Sequence, residues 1–394
     1  MKRLYNEDSF QFDFEAIVTD CFYDEKKNLY GICLDQTAFF PEGGGQLSDL
    51  GFLYLNDTIK ETAFPVLDVQ EKAPEVVHYL SSPFVTGQKV RGRVDSERRF
   101  DFMQQHSGEH IFSGLVHRYF EADNVGFHLG LSEVTLDFNV FLDWEQLRKI
   151  EYLANQAIWE NLPVQTEFPS PLTLESMEYR SKLELTENVR IVTIPGYDVC
   201  ACCAPHVKNT GQIGLLKVTS VQSHRGGVRV NILCGNRALA DYTNKQENIF
   251  AISNSLSSKQ HLTSQAVERL KEETLSLKEE NNILQTKLLQ GISKGLPSPE
   301  KSPHIVMILE PMNDIAIRNV INNLTLKYSG YVAVFWGDDS KGYRYLIGSK
   351  TLDCRQIGNS LREKFEAKGG GKAPMIQGTV LASGETLRDF IFSL

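Results

Sequence analysis

The sequence predicts an α+β protein built in series: a β-barrel-like start, a mixed α+β middle, a long helical or coiled-coil segment, and a compact α/β end. Three observations carry this prediction. Short β-branched and aromatic runs, separated by turn residues, fill residues 1–90. A heptad of apolar positions runs from Val267 to Leu288. Alternating strand and helix patterns begin afresh after Gly291–Ser302, which reads as a linker by composition.

Taken in order, residues 1–90 carry strand patterns at Phe14–Cys21, Leu29–Leu34, Ile59–Val69 and Val76–Leu80. Turn clusters at Asp24–Asn28 and Pro41–Gly45 break them up. In residues 91–242, Ser96–Phe120 reads as a helix with Phe102, His106, His110 and Leu115 near one face. Val134–Phe138 reads as a strand, and Trp144–Asn161 as a second helix that stops before Pro163. Val189–Ile194, Leu215–Val221 and Val228–Leu233 read as further strands.

Residues 243–292 form the helical segment. Val267, Thr274, Asn281 and Leu288 take a positions, and Leu270, Leu277 and Leu284 take d positions. Asn281 at a suits a parallel pair, and Glu273 at g can meet Lys278 at the next e across two chains. A homodimer is expected, with a long helix packed on its own body or an antiparallel hairpin arm as the alternatives. In residues 303–394, Ile305–Leu309, Tyr331–Trp336 and Tyr343–Gly348 read as strands, and Ala316–Lys327 and Cys354–Phe365 as helices.

The 394 residues suggest two to four domains. Apolar residues at 41% and charged residues at 23% exclude wholesale disorder. A net charge of −9 excludes a general nucleic-acid coat but permits local basic faces. Lys341–Lys372 holds eight basic residues against three acidic ones, with Tyr343 and Tyr345 among them. Lys89, Arg91, Arg93, Arg98 and Arg99 form a second basic cluster. Seven cysteines, three of them within Cys200–Cys203, make a poor disulfide framework. The N-terminus MKRLYNEDSF lacks an apolar signal core, and no apolar run approaches the ~20 residues that span a bilayer. A cytoplasmic protein without a membrane partner is expected.

Two motifs together carry the chemistry. In Gln104–His110, His106 and His110 stand at i and i+4, which places both imidazoles on one helix face. Alone, this spacing says little. In Cys200–His206, Cys202 and His206 also stand four apart. Two imidazoles plus a thiolate and a third imidazole complete a tetrahedral zinc shell. One Zn²⁺ per chain is therefore expected on His106, His110, Cys202 and His206, with Cys200 and Cys203 able to replace Cys202. A third motif, Pro41-Glu-Gly-Gly-Gly-Gln46, removes side chains where a backbone must approach something closely. It lacks the Lys-Ser/Thr of a phosphate-binding loop.

These residues resemble the AlaX-type alanyl-tRNA editing proteins, freestanding relatives of the editing half of alanyl-tRNA synthetase. The resemblance runs through Phe40–Gln46, Gln105–His110 and Cys202-x-x-x-His206-Val207, and continues into Gly211–Gly214 and Arg229–Cys234. Near the C-terminus, Gly369-Gly-Gly371-Lys372 through Gly378 is similar to the glycine-rich motif of the DHH-associated nucleic-acid-binding domain. The resemblance implies a long-form editing protein. Its segments would be a barrel with the glycine motif (1–90), a zinc editing domain (91–242), the helical segment (243–292) and a DHH-associated domain (303–394). The sequence departs from the family where Cys203-Ala204-Pro205 stands in place of Gly-Gly-Thr, and at Lys372 and Thr379.

The resemblance implies hydrolysis of the ester joining a wrong amino acid, chiefly serine and then glycine, to tRNA(Ala). It implies substrate-facing or catalytic roles for Thr37, Gln105 and His128. It implies tRNA or substrate contacts at Gly43, Gly44, Gly45, Gln46, Arg98, Arg99, Gly369, Gly370, Gly371 and Lys372. Glu109 is expected to point about 100° away from His110 and is not cast as a general base. No class II synthetase catalytic motif is visible, so aminoacylation is not expected. Two other readings are a non-catalytic zinc-containing RNA-binding protein and a hydrolase of another aminoacyl ester.

Overall fold

A computed structural model describes residues 1–56, 61–181 and 189–394. The chain divides into two units, Met1–Asn248 and Ile249–Leu394. The boundary between them falls inside the expected helical segment 243–292.

The first unit begins with strand β1 (Lys2–Arg3), paired in parallel with β4 (Gln36–Thr37). A seven-stranded antiparallel sheet follows: β2 (Asp13–Asp24), β3 (Leu29–Leu34), β5 (Gly51–Asn56), β6 (Glu61–Val66), β7 (Asp68–Lys72), β8 (Glu75–Leu80) and β9 (Lys89–Val94). Its strand order is β6-β5-β9-β2-β3-β8-β7. The two edge strands are β6 and β7, yet only Leu67 separates them. One residue spans at most ~3.6 Å. The two edges therefore lie together, and the sheet curls into a barrel. Strand β2 makes the bend. Asp13–Ile17 pair with β9, Val18–Asp24 pair with β3, and the register shifts between Val18 and Asp20. The expected strand at Ile59–Val69 is two strands broken at Leu67, and residues 57–60 lie outside the described ones.

Helix α1 (Ser96–Phe120) follows directly, capped by the Asp95 side chain, which accepts from the Glu97 and Arg98 N–H groups. From Phe102 to Val116 every residue is buried. The sequence shows only one marked face because Gln104, Gln105, Ser107 and Glu109 are polar, yet each is enclosed. A four-stranded antiparallel sheet flanks α1, in the order β10 (Asn124–Leu129), β11 (Val134–Phe138), β16 (Gly227–Cys234), β15 (Leu216–His224). Helix α2 (Trp144–Glu160) starts in a capping box, Asp143 with Gln146, and ends at Asn161 in the left-handed conformation. A second small sheet joins β12 (Gln165–Glu167), β13 (Ile191–Ile194) and β14 (Asp198–Ala201). Helix α3 (Pro171–Ser176) lies between β12 and β13 in sequence. Helix α1 packs on α2, β10, β14 and β16.

The expected helical segment 243–292 is two helices, α4 (Gly235–Ser255) and α5 (Thr263–Lys294). The expected linker at Gly291 is corrected too, because α5 runs to Lys294. Its end is anchored, with Leu289 fully buried in one core with Ile317 and Val334. Gln285 accepts from the Asn313 N–H at 2.8 Å, and Asn282 from the Asn313 side chain at 2.6 Å. The d residues Leu270, Leu277 and Leu284 are exposed.

The rest of the second unit is a five-stranded sheet in the order β17 (Ile305–Leu309), β18 (Val332–Asp338), β19 (Gly342–Gly348), β21 (Met375–Val380), β20 (Lys368–Lys372). Only β17 and β18 pair in parallel. Helices α6 (Asp314–Leu324), α7 (Cys354–Phe365) and α8 (Gly384–Phe392) complete it. The glycine run Gly369–Gly371 forms the exposed edge strand β20, which the sequence reading did not assign. A Cβ at Gly369 would lie 2.3 Å from the Gln377 oxygen, so this edge pairs only as glycine.

Within the barrel core, His78 is fully buried. Its Nδ1 bonds the Ile32 carbonyl at 3.0 Å, and its Nε2 meets the Thr37 hydroxyl at 2.8 Å. Burial holds its pKa down at about 4. An unfolded histidine titrates near 6.5. Between these values the unfolded chain binds a proton that the folded one does not. The stabilisation is complete above about pH 6.5 and is lost as pH falls to about 4, about 3 kcal/mol in all. A His78→Gln variant should lose less stability than wild type between pH 6.5 and 4 in denaturant titrations. Equal losses would contradict this assignment.

Candidate metal centre

His106 and His110 leave α1 one turn apart, and Cys202 and His206 follow β14. The four donor atoms lie within 4.8 Å of one another. The sulfur of Cys202 stands 3.5 Å from Nε2 of His106 and 3.4 Å from Nε2 of His206. A tetrahedral zinc with Zn–N near 2.05 Å and Zn–S near 2.3 Å places N and S about 3.6 Å apart. The donor spacing therefore fits one ion of that size. Cys200 groups instead with His110 and Asp198, and Cys203 belongs to neither group. Cys202 is thus the thiol that converges with the three imidazoles.

The other nitrogen of each imidazole is already engaged. Nδ1 of His106 lies 2.8 Å from Oε1 of Gln46, Nδ1 of His110 lies 2.9 Å from Asp198, and Nδ1 of His206 lies 3.0 Å from the Ser107 hydroxyl. An amide oxygen and a carboxylate can only accept. The Nδ1 atoms of His106 and His110 therefore carry the proton, and Nε2 keeps the lone pair that a metal would take. Asp198 is in turn held by Arg180, at 2.7 and 2.9 Å. Burial alone would raise the Asp198 pKa, but His110 and Arg180 outweigh it and hold the carboxyl below its ordinary range. Burial pushes the Cys202 thiol well up and the His206 imidazole well down. Arg190 donates to the Cys202 and Ala204 carbonyls at 3.0 and 2.8 Å and fixes the turn that presents the thiol.

His106, His110 and Cys202 line a cavity of about 560 Å³, whereas His206 does not. Gly43, Gly44 and Gly45 line it, with Phe40, Phe127, Glu109 and Arg190 among the other walls. Gly45 has φ of 81°, and a Cβ there would sit 2.7 Å from the Phe127 oxygen. Its own carbonyl accepts from the Leu129 N–H, which stitches the glycine loop to β10.

Several residues expected on the substrate sit elsewhere. Thr37 is fully buried in the barrel, with its hydroxyl on His78. Gln105 clamps both the N–H and the carbonyl of Cys234, at 2.7 and 2.9 Å. Phe127 packs on the His106 ring, with centroids 4.9 Å apart, and strand alternation turns the next residue, His128, out to solvent. None of the three lines the cavity. Gln46 holds His106 rather than facing the cavity. Arg99 is fully buried against Asp49 and the carbonyls of Ser9 and Ala38. Arg98 is half-buried, donating to the Ser48 carbonyl at 3.1 and 2.9 Å. In the second unit, Gly369, Gly370, Gly371 and Lys372 are exposed on β20. Gly369 and Gly370 line two clefts, one with Arg355 and Arg362, the other with Arg318 and Arg344.

Glu109 corrects the opposite expectation. Its carboxylate reaches within 3.9 Å of Nε2 of His110 and lines the cavity. It accepts from Ser113 at 2.7 Å and Asn124 at 2.6 Å. Sequence reasoning also missed Asp198, Arg180 and Arg190, which carry no spacing signal. Ser107 lay inside the histidine motif, and its hydroxyl was the one available cue.

Comparison with known proteins finds similarity to alanyl-tRNA synthetases and editing proteins. Residues 189–230 match the family described as threonyl and alanyl tRNA synthetase second additional domain. Residues 9–98 match the family described as tRNA synthetases class II (A). An alanyl-tRNA editing protein of Xenopus laevis is 27% identical over 90% of this chain and 86% of its own. One from Rattus norvegicus is 27% identical over 96% and 94%. An alanine–tRNA ligase of Ignicoccus hospitalis is 28% identical over 94% of this chain, which spans only 40% of that enzyme. A solved C-Ala domain of Aquifex aeolicus alanyl-tRNA synthetase covers 23% of this chain at 19% identity and a TM-score of 0.20, too low to bear on the fold. The chain thus resembles alanyl-tRNA editing proteins along nearly its whole length and theirs. No helix among the described residues is long and apolar enough to cross a membrane.

Purified protein should carry about one zinc per chain by elemental analysis. Cys202→Ala should lose it, while Cys203→Ala should keep it. Asp198→Ala should weaken zinc binding about 10- to 100-fold in a chelator competition, because His110 loses its orienting partner. Retention of zinc by Cys202→Ala would refute the ligand set.

Proposed function

We propose that this protein is a trans-editing hydrolase that deacylates mischarged tRNA(Ala), chiefly seryl-tRNA(Ala) and also glycyl-tRNA(Ala). One observation carries the reading. Three imidazoles with engaged Nδ1 atoms and one thiol converge, and His106, His110 and Cys202 of this set line a cavity walled by the glycine loop. The near end-to-end similarity to alanyl-tRNA editing proteins supports it.

His106, His110, Cys202 and His206 would hold one Zn²⁺. The bound ion would fix these four side chains in place and supply a positive charge beside the ester-bearing end of the tRNA. Four protein ligands leave no open position, which favours orientation over hydroxide formation. The chain's own residues do the rest. Gly43, Gly44 and Gly45 carry no side chains and let the aminoacyl group approach the backbone closely. Glu109 offers a buried carboxylate to the ammonium or hydroxyl of the amino acid. A hydroxyl paired there favours the seryl ester over esters that lack one, which makes serine the chief substrate and glycine the second. Thr37 takes no direct part.

The exposed strand β20 and the basic residues around it suit the tRNA backbone. The exposed d leucines of α5 suit a homodimer. A parallel pair sets Glu273 against the partner's Lys278, whereas an antiparallel pair sets like charges together at g and at e.

Release of serine from seryl-tRNA(Ala) should be fast with the intact protein and fall at least tenfold after chelator treatment, with recovery on adding zinc. Binding without release would favour the non-catalytic RNA-binding reading. Equal release from unrelated aminoacyl-tRNAs would favour a broader esterase. By light scattering, the wild type should have the mass of two chains and Leu277→Lys that of one. A monomeric wild type at tens of micromolar would exclude the dimer.

A further inference from the structure

The cavity is graded from floor to mouth. At the floor, His106 and His110 line the cavity and are almost wholly buried. At the mouth, Val125 is 64% exposed and Phe168 is 54% exposed, and both line the same cavity. Phe127 stands between these extremes, half-buried and packed on the His106 ring. Large apolar side chains left in water beside a polar site mark a surface that a ligand covers.

We propose that Phe168, with Val125, forms the seat for the terminal nucleobase of the RNA acceptor strand, bound by stacking. The proposal rests on the deacylase reading and adds a base-binding residue to it. The chemistry of the substrate imposes the arrangement. In an aminoacylated nucleotide, the ester and the base are attached to one ribose. An ester held at the metal floor brings its base along, and the base must lie within the same cavity. The floor is polar and metal-binding, so it suits the ester and the ammonium. The mouth is aromatic and aliphatic, so it suits a flat base with two π faces. An amino-acid side chain is the other apolar candidate, but serine and glycine have none to bury.

Stacking on an aromatic ring tolerates any base. Phe168 therefore contributes affinity for a 3′ end rather than reading its identity. It sits on the chain just after β12, apart from the glycine loop and from the metal donors. Because it is exposed, its removal leaves the core intact.

The test uses the full zinc-loaded chain and an acceptor-stem RNA hairpin whose terminal base is 2-aminopurine. Fluorescence anisotropy reports RNA binding, and 2-aminopurine quenching reports stacking of the last base. Wild type should bind and quench. Phe168→Ala should lose most of the quench, and the KM for seryl-tRNA(Ala) should rise about five- to a hundredfold, with kcat changed far less. Phe168→Trp should restore both. Binding without quench in the wild type, or an undiminished quench in Phe168→Ala, would overturn the proposal while leaving the deacylase reading intact. Absence of both binding and deacylation would overturn the deacylase reading and this one with it.

Discussion

The centre depends on what happens at the far side of each imidazole. A neutral histidine binds a metal through Nε2 when the proton resides on Nδ1; Gln46 and Asp198 secure this for His106 and His110, and Ser107 holds the ring of His206. Gln46 comes from the glycine loop, Ser107 from α1 itself, and Asp198 from β14. The donor set is therefore complete only when the barrel's loop, the buried helix and the small sheet have all docked. The same dependence accounts for the burial of polar residues along α1. Gln104 donates to the Gln212 carbonyl, Gln105 brackets Cys234, and Glu109 accepts from Ser113 and Asn124. A helix so enclosed must satisfy its polar groups internally, because an unpaired buried amide or carboxylate costs kilocalories.

The ends of the long elements were legible where local chemistry is strong. Ser96–Phe120 and Val134–Phe138 were read with the bounds they have, because a cap, a left-handed stop or a clean alternation marks them. The four donors were legible for the same reason, since i, i+4 spacing is a local signal. The remainder was not local. Strands β10, β12 and β14 are short, hold few β-branched residues, and exist through their partners. The partition of the arginines was equally invisible. Arg98 and Arg99 are neighbours in sequence, yet only the second is sealed against Asp49. A helical step of 100° decides between solvent and core, and no composition rule carries that information.

The glycine runs show how one residue type serves two ends. At Gly45 the missing side chain admits the Phe127 carbonyl and fixes the loop that carries Gln46 to His106. At Gly369 it admits the Gln377 oxygen and permits an exposed edge strand in the second unit. Edge strands are ordinarily shielded or charged. This one is flanked by Lys368 and Lys372, which keep it soluble and suit it to phosphate.

The central claim is a metal centre of three imidazole nitrogens and one thiolate sulfur, and it can be read directly from X-ray absorption at the zinc edge. The account predicts about three nitrogen scatterers near 2.0 Å and one sulfur near 2.3 Å in the intact protein, with the sulfur shell lost in Cys202→Ser. Two sulfur scatterers in the intact protein, or a sulfur shell that survives that substitution, would contradict it.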